Sequence, residues 1–274
     1  MENRRPDQVE APASEPTYAS YLKLDALFEC QTPLSASHDE MLFIIIHQTS
    51  ELWVKLSLHE LDAARSALAR DALDAAFKYM ARVARIQHQL IQSWEVLATL
   101  TPAEYSVMRE GLASSSGFQS HQYRALEFMM GNKNAAMIDV HGAASHHRAQ
   151  LRDALQRASL YDEALRVMAR QGLPVPADRL ERDFTQPYHA SEEVEQCWAT
   201  VYRHPDRYWD LYELAEKLVD LEYHVQLWRV GHLKTVERVI GFKRGTGGTA
   251  GVPYLARVLD QVFFPELLSV RALL

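Results

Sequence analysis

The 274-residue chain has little cysteine, no long apolar run and no surplus of positive charge. Its two cysteines, Cys30 and Cys197, lie far apart. That spacing excludes a CxxC metal or redox motif and a disulfide scaffold, and it suits a reducing compartment. The longest uninterrupted apolar stretch, Met41–Ile46, has six residues, against the ~18 that a membrane span requires. The first residues, Met1 to Arg5, are largely charged and have no apolar segment behind them. No secretory signal is therefore expected, and a cytoplasmic location is. Lys plus Arg number 29 against 36 Asp plus Glu, a formal charge of −7 without any basic block, which argues against nucleic acid as a partner. Alternating Val/Ile/Thr runs are also missing, so strands are not expected.

Six of the eleven glycines fall between Gly231 and Gly251, and proline is absent from 34–101, 103–173 and 206–252. Long stretches without either breaker, rich in Ala, Leu, Arg, Glu and Gln, predict helices. The fold class expected is all-α, a single helical-bundle domain over residues 17–274. The proline-punctuated residues 1–16 are expected to be a disordered tail. Helices are predicted from a capping box at Ser37–Glu40 to about Arg70, over 72–100, and from a second box at Thr101–Glu104 to Leu112. Further helices are predicted over 121–130, 143–171, 191–203 and 206–240. A glycine loop and an amphipathic end follow.

The first long helix carries two apolar stripes. Leu42, Ile45, Leu52 and Leu56 mark one. Phe43, Val54, Leu58 and Leu61 mark the other, with His47 projecting among them. Two stripes predict a helix buried on both sides. His47 then reads either as a core histidine with one hydrogen-bond partner or as a functional group in a second apolar compartment. His232 lies in the series Leu221, Val225, Trp228, His232, Val236, Val239, one face at helical spacing. It reads as a core histidine or as an iron ligand whose second nitrogen is oriented by a neighbouring acceptor. Tyr105 and Arg109 are one turn apart. They could be surface groups or a carboxylate clamp, since a guanidinium binds carboxylate bidentately.

Other motifs carry less. Gly245–Gly251 formally fits GxGxx(G/A), but it follows a helix where a dinucleotide fingerprint needs a strand. No Glu-x-x-His exists, so the di-iron bundle signature is missing. His38-x-Glu40 and His204-x-Asp206 sit at helix starts, where acidic residues are expected as caps. The pair His146–His147 is expected in solvent.

Six segments together resemble the tryptophan 2,3-dioxygenase family in its shorter bacterial form. They are TYASYLKLD from Thr17, HDEMLFIIIHQTSELW from His38, SSGFQSHQYR from Ser115, HLKTVERVIG from His232, GTGGTAG from Gly245 and FPEL from Phe264. They span residues 17 to 267 in the family's order. The resemblance implies a haem b enzyme, with haem held between long helices. Such an enzyme adds O2 across the indole C2–C3 bond of L-tryptophan to give N-formyl-L-kynurenine, the first step of tryptophan catabolism. By position it implies His232 as proximal haem ligand and His47 as the catalytic distal histidine that accepts the indole N–H. Arg109 and Tyr105 become the carboxylate clamp, Thr246 the contact to the amino-acid head, and Phe43 a wall of the indole pocket. Ser116 and Gly117 would line the haem edge. Tyr18, Tyr21 and Leu22 would reach into a neighbouring subunit of a homotetramer. Where the family often has Gln before the distal histidine, this chain has Ile46, expected to face the first apolar stripe. A helical haem-based sensor, or a tryptophan-binding haem protein without turnover, is the alternative.

Overall fold

The computed structural model describes residues 15–141 and 145–274. The tail expected over 1–16 therefore lies almost entirely outside the described residues, as does Ala143, the expected start of a helix. Among the described residues there is no strand, and thirteen α-helices follow one another. They are α1 (Tyr18–Leu22), α2 (Leu24–Phe28), α3 (Glu40–Leu68), α4 (Leu73–Leu97), α5 (Pro102–Leu112), α6 (His121–Met130), α7 (His146–Gln156), α8 (Leu160–Arg170), α9 (Ala177–Leu180), α10 (Glu192–Arg203), α11 (Trp209–Val239), α12 (Val252–Val258) and α13 (Pro265–Ser269).

Three long rods frame the molecule. α3, α4 and α11 have 29, 25 and 31 residues, about 38–46 Å each at ~1.5 Å per residue. α4 buries Ala76, Phe77, Met80, Val83, Ile86, Leu90 and Leu97, a three-to-four-residue spacing that makes one continuous apolar face. It packs along both α3 and α11, while α3 and α11 make few contacts with each other. The gap between those two helices, closed behind by α4, is where the cavity opens. One buried cluster runs from Val54 through α4, α8, α10 and α11 to Val270. Each fully buried large apolar side chain in it contributes about 1.5–3 kcal/mol.

Several local signals resolve as expected. Thr101 and Glu104 cap α5 reciprocally, Thr101 N donating to Glu104 Oε2 at 2.7 Å. On α11, Leu221, Val225 and Val239 are buried, while Trp228, His232 and Val236 line the cavity.

Others resolve differently. Ser37 does not cap α3; Asp39 occupies the N-cap without a side-chain bond. The Glu40 carboxylate turns back to accept from Leu34 N at 2.8 Å, Ser35 N at 2.7 Å and Ser35 Oγ at 2.5 Å. It fixes the preceding turn rather than closing a capping box. The helix expected over 143–171 is broken at Arg157–Ser159. A capping box of Ser159 with Asp162 starts α8, and the buried Lys133 ammonium donates to the carbonyls of Ala154, Leu155 and Arg157 at 2.9, 3.1 and 2.7 Å. That cation satisfies the last carbonyls of α7 and ends it.

The first apolar stripe of α3 is not buried by this chain. Ile45 is 42% and Leu52 50% exposed, whereas Val54 and Leu61 on the other stripe are buried. α1 and α2 bury none of their residues. The segment after them is tied to α3 through Gln48, which accepts from Gln31 Nε2 at 2.6 Å and donates to the Cys30 carbonyl at 3.0 Å.

Candidate active site

A cavity of about 270 Å³ lies between α3, α4 and α11, roofed by α5, α12 and the loops at 115–118 and 245–251. Its walls are mainly apolar, from Phe43 and Val54 on α3, Leu90, Trp94 and Leu97 on α4, and Trp228, Val236 and Val239 on α11. His47 and His232 both face it.

His47 sits one turn after Phe43, and its Nδ1 lies 2.7 Å from the Phe43 carbonyl. A carbonyl only accepts, so Nδ1 carries the proton and Nε2 is left as an acceptor. The Phe43 ring lies 4.1 Å from the imidazole. Burial pushes the pKa of His47 below the ordinary histidine value, against an opposing pull from the Phe43 carbonyl and Glu51. His47 is therefore a neutral acceptor at neutral pH.

His232 is half-buried, because the cavity reaches its ring. Burial pushes its pKa down to about 4, with a further lowering from a charge on His47 across the cavity. Two neutral imidazoles thus face one compartment from opposite helices. The Trp94 indole stacks flat on His232, centroids 4.8 Å apart and planes at 7°.

Tyr105 is buried and lines the cavity. The Arg109 guanidinium lies 5.9 Å from its ring centre. Arg109 is not part of the cavity wall here: Nη2 donates to the Arg244 carbonyl at 2.6 Å, and Nη1 is buried without a partner. The glycine loop is held against the loop before α6, because Thr246 Oγ1 donates to the Ser115 carbonyl at 2.5 Å. At Gly251, φ is +66° and an added Cβ would stand 2.6 Å from the Lys243 carbonyl oxygen, so only glycine suits that turn.

The site thus brings together His47, Phe43, Tyr105, Ser116, Gly117, Thr246 and His232, with Arg109 at its rim. Tyr18 and Tyr21, 77% and 74% exposed, and Leu22 do not line it. Ile46, expected on the outer stripe, lines the cavity instead. Of the pair expected in solvent, His146 is exposed but His147 is half-buried, with its ring 3.7 Å from that of His121. Among the described residues no cluster of three or more His, Cys, Asp or Glu side chains is placed to hold a metal ion.

Sequence reasoning missed Trp94, Tyr123, Arg124, Glu127 and Arg229. Arg124 pairs with Glu127 at 2.6 Å and Arg229 with the same carboxylate at 3.4 Å. Buried ionic groups flanking a helical cavity leave no periodic signal. Three buried donors on residues of the cavity wall have no acceptor: Trp94 Nε1, Trp228 Nε1 and Arg124 Nε. Unfilled buried donors are costly unless a ligand or water satisfies them.

The family model described as Tryptophan 2,3-dioxygenase matches residues 5–150 and 150–274. The chain is 60% identical over 259 residues to the Tryptophan 2,3-dioxygenase of Erythrobacter litoralis (strain HTCC2594), covering 94% of this chain and 98% of that protein. It is 60% identical over 255 residues to that of Polaromonas sp. (strain JS666 / ATCC BAA-500), covering 93% and 87%. The protein of the same name from Bordetella parapertussis (strain 12822 / ATCC BAA-587 / NCTC 13253) is 58% identical over 259 residues, covering 94% and 91%.

Proposed function

The chain belongs to the tryptophan 2,3-dioxygenase family, and from that premise we propose that its central cavity takes haem and L-tryptophan together. The reaction adds both atoms of O2 across the indole C2–C3 bond and yields N-formyl-L-kynurenine.

The residues present fit haem b. A neutral imidazole on α11 can ligate iron through one nitrogen, and the walls around it are mainly apolar, as a porphyrin face requires. Held by His232, haem would supply the ferrous iron chemistry that activates O2.

The chain's own groups then place the substrate. His47 Nε2 accepts the indole N–H, and its tautomer is already fixed by the Phe43 carbonyl. Indole has no readily lost proton other than this one, so His47 orients the ring more than it removes a proton. Phe43 forms a wall for the indole. Arg109 presents one free donor, Nη1, to the substrate carboxylate while Nη2 holds the Arg244 carbonyl. The same guanidinium thereby couples substrate to the glycine loop. Tyr105 supports the clamp, Thr246 contacts the amino-acid head, and Ser116 and Gly117 line the haem edge. With the loop in place, water is kept from the reacting bond.

The assembly is a homotetramer in which Tyr18, Tyr21 and Leu22 reach a neighbour's cavity. The exposed aromatic side chains of α1 and the open stripe of α3 support this, since large apolar side chains left in solvent mark interaction sites. Residues 17–274 act as one domain, supported by the single large core cluster. No helix among the described residues is long and apolar enough to cross a membrane, and the cysteines are free; both suit a cytoplasmic enzyme.

The observation that carries the reading is the pair His47 and His232 facing one cavity from α3 and α11. Aerobic turnover of reduced, haem-loaded protein with L-tryptophan tests it. Catalytic growth of the near-ultraviolet absorbance of N-formylkynurenine is expected. Bound haem with unconsumed tryptophan would turn the reading toward a haem sensor.

A further inference from the structure

We infer that Trp94 is the positioning residue that fixes the plane of the His232 imidazole, and that Gly231 is glycine to admit it. The inference rests on the reading of His232 as the haem ligand.

A histidine that holds a metal is usually oriented by an acceptor on its second nitrogen. His232 has no hydrogen bond to either ring nitrogen among the described residues. The contrast on the same helix is direct. His224 Nδ1 lies 2.7 Å from the Asp220 carbonyl, one turn back, and His47 on α3 uses the Phe43 carbonyl in the same way. His232 makes no such bond with Trp228. What meets it is a flat aromatic face, the Trp94 ring at 4.8 Å and 7°. Trp228, tilted by 36° at 5.7 Å, stands beside it, and packs on Trp94 at 5.4 Å. Two indoles thus hold the imidazole plane where a hydrogen bond would otherwise do so.

Gly231 supplies the second, independent observation. It lies inside α11, where glycine costs about 1 kcal/mol relative to alanine. Its backbone is not in the positive-φ region, so conformation does not explain it. Space does: an added Cβ would stand 2.6 Å from Trp94 Cδ1, 3.3 Å from Cγ and 3.4 Å from Nε1. Those atoms belong to a rigid ring, so the ring itself would have to move off the imidazole next door.

The test uses the holoenzyme and reads the iron–histidine stretching band of the ferrous state, the rate of haem transfer to apomyoglobin, and kcat and KM separately. Trp94→Leu is expected to shift and broaden the band and to speed haem loss about 10–100-fold, the range seen when a ligand's orienting partner is removed. KM for L-tryptophan should stay within about twofold while kcat falls. Trp94→Phe, which keeps a flat ring, should recover most of the parent's band. Gly231→Ala should reproduce the shift in the parent and add little in the Trp94→Leu background, because both changes remove one contact. An unchanged band and haem-loss rate in Trp94→Leu, or additive effects of the two substitutions, would overturn the proposal. His232→Ala separates the two levels. If it keeps the parent's band, the ligand reading fails and the proposal with it; if the band vanishes there but Trp94→Leu leaves it untouched, only the role of Trp94 is refuted.

Discussion

Replacing Arg109 by alanine removes the one bond its guanidinium makes in the structure and the one proposed for it with the substrate. Nη2 holds the Arg244 carbonyl at 2.6 Å, and Nη1 is buried without a partner, which is the donor offered to the substrate carboxylate. The loop bond is exposed, so most of the loss should come from the carboxylate. Truncating one partner of a buried, hydrogen-bonded charge pair costs about 2–5 kcal/mol. Even the lower figure is roughly 30-fold at ~1.36 kcal/mol per decade. kcat/KM for L-tryptophan should therefore fall about 30-fold or more, measured by initial rates at matched haem content. Arg109→Lys should fall between parent and alanine variant, because one ammonium cannot hold both the Arg244 carbonyl and a carboxylate in planar geometry. Tryptamine, which lacks the carboxylate, should inhibit parent and Arg109→Ala alike. A drop in kcat/KM below about threefold would mean that the carboxylate is held elsewhere.

Three further outcomes follow from the same geometry. Burial holds His47 below the ordinary histidine range, so its accepting neutral form persists as pH falls from about 8 through ~6.5. kcat/KM should stay flat over that span and fall only below it; His47→Ala should lose this acid limb yet keep measurable turnover, and complete inactivity with haem still bound would contradict the positioning role. In the haem-free chain His232, pushed down to about 4, and His121 and His141, also lowered chiefly by burial, bind protons more readily unfolded than folded. Stability is then full above the unfolded-state value of ~6.5 and declines as pH drops from there toward about 4; a Tm that does not fall across this window would refute the buried neutral state. Gly251→Ala places a Cβ at positive φ and 2.6 Å from the Lys243 carbonyl oxygen. At about 1–3 kcal/mol of backbone strain, it should lower kcat/KM by roughly tenfold without changing haem content, and an unaltered kcat/KM would show that the loop's shape is irrelevant.

The long helices were legible because nothing in their sequences breaks them and their apolar residues recur at helical spacing. The His232 face of α11 follows from that pattern alone. The start of α3 was misread for a physical reason: Ser37 and Glu40 have capping-box spacing, but a carboxylate can bond any nearby amide, and the turn at Leu34–Ser35 lies closer. The break between α7 and α8 contains no proline or glycine and is set by the Lys133 ammonium, which is distant in sequence. The double stripe on α3 correctly marked two apolar faces, but a sequence does not say whether a face is covered by its own chain. Several residues of the cavity wall could be read from the resemblance. Trp94 could not, since one tryptophan on an apolar helix face reads as core until the ring it stacks on is placed beside it.

The central claim is that a cavity between His47 and His232 carries out the addition of O2 to tryptophan. Turnover under ¹⁸O2, with the product analysed by mass spectrometry, tests it most directly. Both labelled atoms should appear in N-formyl-L-kynurenine from the parent and neither product nor label from His232→Ala. Label in only one position, or unchanged tryptophan in the presence of fully bound haem, would contradict the account.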